Sequence, residues 1–144
     1  MINSSTIQDL QNLSATNRLA QMQANLNKNN FVIKGMALEG QITLFFAKPN
    51  TGKTLLFLYF LIEAIDEGRV APANLFYINA DDNYNGLYTK AQIAKKHGFH
   101  MISPSEAQTS ALNILNLLKD LSKKNCLRGT VIVLDTLKKF VDMM

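Results

Sequence analysis

The 144-residue chain has one cysteine, Cys126, no tryptophan, three prolines and two histidines. A lone cysteine excludes an internal disulfide. His97 and His100 with one distant thiol make no zinc pattern. Long apolar runs are also lacking. The longest spans residues 55–62 and stops at Glu63, whereas a membrane helix needs roughly 20 residues. The first residues, Met1-Ile2-Asn3-Ser4-Ser5-Thr6, have neither the basic nor the apolar region of a secretory leader, so a cytoplasmic chain without membrane contact is expected. Charged residues are modest at 18%, but hydrophobic residues reach 47%, which excludes the disordered class. The length suits one domain. The net charge of +4 permits contact with nucleic acid or with nucleotide phosphates without demanding it.

Two parts differ in composition. Residues 1–30 are rich in Asn, Gln and Ser, and Ile7, Leu10, Leu13, Leu19, Met22 and Leu26 recur at roughly helical spacing. They read either as a polar arm or as helices docked on the core. From Phe31 onward, short apolar runs alternate with helical patterns. Phe31-Val32-Ile33 is a short strand candidate, and the β-branched and aromatic run at 41–46 predicts a buried strand. Residues 54–67 predict a helix that is apolar nearly all round, hence deeply buried, with Gly68 placed to end it. Strands follow at 75–78, 99–102 and 131–134, and a helix at 87–97 stops at Gly98. Ser103-Pro104-Ser105-Glu106 has the form of a helix start with a capping box. The helix it opens would carry Ala107, Ala111, Ile114, Leu118 and Leu121 on one face. Continuous apolar strands separated by helices indicate an α/β fold, a parallel sheet covered by helices on both faces.

The sharpest chemical signal is Ala47-Lys48-Pro49-Asn50-Thr51-Gly52-Lys53-Thr54, followed by Leu55. It matches a phosphate-binding loop with Ala in place of the first Gly, set between a strand and a helix pattern. Backbone N–H groups of such a loop wrap phosphate oxygens, and the following helix directs its positive end at them. Gly52 permits close backbone approach, Lys53 supplies a cation for the β- and γ-phosphates, and Thr54 offers a hydroxyl to Mg²⁺. Asp135 ends the run Val131-Ile132-Val133-Leu134, a position suited to holding the metal. Asp81 and Asp82 follow the 75–78 strand. Asp81 reads as the carboxylate that orients an attacking water, or the pair forms an Asx turn or helix cap. Tyr84 and Tyr88 are candidates for stacking on a base or are plain surface residues. Lys138 and Lys139 read as a solvated face.

From Ala37 to Phe140 these residues resemble the RecA-fold ATPase core of hexameric DNA helicases of the DnaB and plasmid RepA kind. Gly40-Gln41-Ile42-Thr43-Leu44 ahead of the loop is similar to the DnaB pattern, in which Ala often opens the loop. Leu134-Asp135-Thr136-Leu137-Lys138-Lys139-Phe140 is similar to the RepA-type metal strand. The resemblance implies ATP and Mg²⁺ as cofactors, with Lys53 and Thr54 on phosphate and metal and Asp135 on the metal. It also implies Asp81 at the place of the family's catalytic Glu, a hexameric homo-oligomer, and single-stranded DNA as a partner reached through other parts of the fold. Asp81 is one methylene shorter than Glu, which puts the hydrolysis rate in doubt more than nucleotide binding. The family continues past its metal strand with a sensor strand, DNA-contacting loops and an arginine finger. Residues 31–144 are therefore expected to be a partial core that binds nucleotide without sustained hydrolysis.

Two other classes stay open. A partition-type ATPase switch is suggested by Lys48, which lies before Lys53 at that family's signature spacing, but Pro49 and Asn50 stand where it normally has glycines. Loss of turnover on mutating Lys48 would favour it. The other is a nucleotide-binding or assembly module without hydrolysis, separated from an enzyme by comparing ATP affinity with turnover. No guanine-recognition signature is present.

Overall fold

The computed structural model describes residues 7–26, 30–48, 51–81 and 83–141. Helices α1 (Ile7–Asn12) and α2 (Leu19–Leu26) flank a 3-10 turn at Ala15–Arg18. Ile7, Leu13, Leu19 and Met22 are exposed. A small antiparallel ribbon follows, β1 (Phe31–Ile33) with β2 (Ala37–Leu38). Next come α3 (Lys53–Asp66), β3 (Leu75–Asn79), α4 (Tyr84–His97), β4 (His100–Ile102), α5 (Ala111–Lys123), β5 (Val131–Asp135) and α6 (Leu137–Val141).

The main sheet has the order β4-β3-β5, and both pairings are parallel. Parallel neighbours need crossover connections, and α4 and α5 supply them. The register sets Ile78 beside Leu134 and Asn79 beside Asp135, so the polar ends of two strands meet at one edge. Side chains alternate between the faces. Leu75 and Tyr77 cluster with Leu58, Leu61 and Ala64 of α3 and Ala94 of α4. Ile78, Ile132 and Leu134 cluster with Ala111 and Ile114 of α5 and Phe140 of α6. Helices therefore cover both faces, and the chain is α/β as expected. Each buried Leu contributes about 1.5–3 kcal/mol to folding.

Ile33 and Ala37 bring the ribbon into the first cluster. Arg69 fastens it further: its guanidinium donates to the Val32 carbonyl and pairs with Glu63 and Glu67 of the α3 terminus.

Three expectations need correction. Residues 41–46 form no strand. Ile42 is 93% and Phe46 87% exposed, and Leu44 is exposed too. Phe45 alone reaches the core, its ring 4.8 Å from that of Phe57. A strand is stable only with a ladder partner. Here β3 already lies between β4 and β5, and no described strand pairs with the other edge of β5. For the same reason α3 is buried on one stripe only: Leu58, Leu61 and Ala64 are buried, while Leu55, Leu56 and Tyr59 are exposed.

The third correction concerns residues 103–106. Their helical turn, with Ala107 N–H on Ser103 O at 3.0 Å, breaks at Gln108, whose φ is +49°. The Ser103 hydroxyl bonds Ser105 at 2.8 Å instead of capping a helix. Ser110 caps α5 by accepting from Asn113 N–H at 3.1 Å, and that later start directs Ala111 and Ile114 into the core while Ala107 stays exposed. Among the described residues no helix is long and apolar enough to cross a membrane.

Candidate functional site

Gly52 precedes α3 with φ +78°, a left-handed conformation that favours glycine. Just before it, the Thr51 hydroxyl donates to Lys48 O at 2.8 Å. Lys53 and Thr54 occupy the first turn of α3 and are half-buried, whereas Ala47, Lys48 and Leu55 are exposed. Pro49 and Asn50 lie outside the described residues, as does Asp82.

The first turn of α3 meets the end of β5. The Thr54 hydroxyl lies 3.3 Å from Asp135 Oδ2 across 81 residues of sequence. The same oxygen accepts from the Tyr77 hydroxyl at 2.6 Å and has the Lys90 ammonium at 3.7 Å. A buried carboxylate needs such compensation, because removing a charge from water without partners is costly. The backbone of β5 also holds the next strand end, since Ala80 N–H donates to Asp135 O at 2.7 Å.

Asp81 stands at that neighbouring end. Its backbone N–H donates to Asn79 Oδ1 at 3.2 Å. Its exposed carboxylate has the Thr136 hydroxyl at 3.5 Å and the Lys139 ammonium at 3.7 Å. Lys139 is thus an ion-pair partner of a candidate residue, where a plain solvated face was expected. Asn83 caps α4 by accepting from Gly86 N–H at 2.9 Å, so α4 begins earlier than residue 87, and Tyr84 and Tyr88 lie exposed on it.

The structure therefore brings Thr54 and Asp135 together and sets Asp81 at the adjacent strand end, while Lys48 and Leu55 face solvent. It adds Tyr77 and Lys90, which sequence reading passed over. A tyrosine inside an apolar strand needs a partner for its hydroxyl, and Lys90 falls between Leu87 and Ala94 on the inward stripe of α4. Both signals were present but named no partner.

The oxygen donors fit Mg²⁺ in a particular way. One carboxylate and one hydroxyl converge, and among the described residues no three His, Cys, Asp or Glu side chains gather around a metal position. Mg²⁺ is commonly held by one or two carboxylates together with substrate phosphates and waters, without a full protein cage. The set suits a cation that arrives with its phosphates. A separate shallow groove of about 420 Å³ between α4 and β4, floored by Phe76 and His100, lies away from these groups. Comparison with family models, with curated proteins and with solved structures finds no match to this chain.

Proposed function

We propose that the chain is a nucleotide-binding P-loop domain, an ATPase core of the RecA-like kind that takes ATP with Mg²⁺. The observation that carries this is the meeting of Thr54 and Asp135 at 3.3 Å, directly behind a glycine turn at the N-terminus of a 14-residue helix. In this reading the N–H groups at the start of α3 and the Lys53 ammonium bind phosphate oxygens. The Thr54 hydroxyl and the Asp135 carboxylate would hold Mg²⁺, which supplies charge neutralisation on the phosphates. Tyr77 fixes the Asp135 carboxylate by its hydrogen bond. The exposed Ile42, Leu44, Phe46, Leu55, Leu56 and Tyr59 support a domain that works against further polypeptide, as the resemblance to ring helicases implies. Light scattering tests for self-association.

The experiment is a titration of the full chain with a fluorescent ATP analogue and Mg²⁺. Saturable binding that Lys53→Ala weakens at least about tenfold is expected, since that change removes the phosphate cation. Equal affinity in the variant overturns the reading. A second reading, nucleotide binding without turnover, is favoured by one observation: the Asp81 carboxylate is engaged by Lys139. ATP affinity with no phosphate release, restored in part by Lys139→Ala, supports it. Turnover in the unmodified chain removes it.

A further inference from the structure

We propose that Lys90 is the resident counter-cation of Asp135, a positioning residue that a divalent cation must displace to reach the carboxylate. The proposal rests on the reading of Thr54 and Asp135 as the metal pair. Three groups converge on a single oxygen, Asp135 Oδ2: the Tyr77 hydroxyl at 2.6 Å, the Thr54 hydroxyl at 3.3 Å and the Lys90 ammonium at 3.7 Å. Two of them are neutral dipoles. Among the described residues Lys90 is the cation within ion-pair reach, and a carboxylate with a side chain only 11% exposed requires one. Its own side chain is 15% exposed, and α4 is fixed by the Asn83 cap at one end and by Ala94 in the core at the other.

A dication and an ammonium cannot share one carboxylate oxygen without strong repulsion. Metal entry at Oδ2 is therefore an exchange: the cation binds and the Lys90 ammonium withdraws, which its flexible four-carbon stem allows. The exchange preserves charge compensation at Asp135 whether or not metal is bound. It also keeps the affinity for free divalent ions low in the absence of nucleotide.

The test is an Mn²⁺ titration of the nucleotide-free full chain, read by electron paramagnetic resonance. Lys90→Met should bind Mn²⁺ at least about fivefold tighter than the unmodified chain, the factor that no longer having to break a unit-charge pair at about 4 Å gives even in bulk water. Lys90→Gln, which keeps a polar side chain without the charge, should show the same gain. Lys90→Arg, which keeps the charge, should not. Adding Asp135→Asn to Lys90→Gln should abolish the gain. Unchanged Mn²⁺ affinity in both neutral variants, no Mn²⁺ binding to either, or a gain that survives Asp135→Asn overturns the proposal. Titration of the unmodified chain with ATP reports on the phosphate-loop reading separately. No ATP binding together with an intact Mn²⁺ gain removes that reading and leaves the exchange standing.

Discussion

Residues 131–135 and residues 41–46 are built from the same material and end in opposite states. Val131-Ile132-Val133-Leu134 pairs residue for residue with β3, with Ile132 and Leu134 packed toward α5 and α6 and Val131 and Val133 toward α3 and α4. The run at 41–46, equally rich in β-branched and aromatic residues, has no ladder and leaves Ile42, Leu44 and Phe46 exposed. Composition therefore states a capacity to form a strand, and an available sheet edge decides whether it is used. Helix α3 carries the same contrast within one element, with a core stripe toward β3 and an apolar stripe, Leu55, Leu56 and Tyr59, toward solvent.

The comparison is broken most severely at Asp135. Asp135→Ala leaves the Tyr77 hydroxyl and the Lys90 ammonium without their shared acceptor. A loss of about 3–5 kcal/mol is expected, the usual range for removing one member of a buried charged pair. Urea unfolding measures it, and a loss near zero would show that Asp135 does not hold the end of β5 in place. On α3 the two stripes should separate cleanly. Leu61, 1% exposed, should cost about 2–5 kcal/mol on truncation to Ala, and Leu56, 56% exposed, should stay within about 0.5 kcal/mol. Comparable costs in the same urea experiment would mean that both faces of α3 are packed. Tyr77→Phe keeps the buried ring and removes the hydroxyl that donates to a carboxylate at 2.6 Å, so about 1.5–3 kcal/mol is expected. Its midpoint shift should shrink when Asp135→Asn is already present.

Local chemistry made much of the fold legible. Gly98 in the left-handed region closes α4 where expected, and Gly52 and Lys53 open α3 within one residue of the expected helix start. Strands β3 and β5 read directly because their apolar runs are bounded by turn residues and polar ends. What stayed hidden depends on partners distant in sequence. Ser103 and Ser110 are both competent caps, and only the core contacts of Ala111 and Ile114 select the second. Thr54 and Asp135 were named separately, each from its own motif. Lys90 and Tyr77 were not, because a lysine on a helix and a tyrosine in a strand acquire meaning only when the register of β3 against β5 delivers them to one oxygen.

The smallest expected effect is the most discriminating for the 41–46 segment. Ile42→Thr keeps β-branching and removes apolar surface from a side chain that is 93% exposed. If the segment stays unpaired, the change falls within about 0.5 kcal/mol in urea unfolding of the dilute chain. If another polypeptide pairs with the segment at higher concentration, burial of Ile42 becomes concentration-dependent. The two sequences should then diverge in midpoint as protein concentration rises, with the unmodified chain gaining. Parallel midpoints at every concentration would mean that Ile42 stays exposed, and the contrast with β5 is then intrinsic to the folded chain. Divergence would instead mean that residues 41–46 lack only a partner edge.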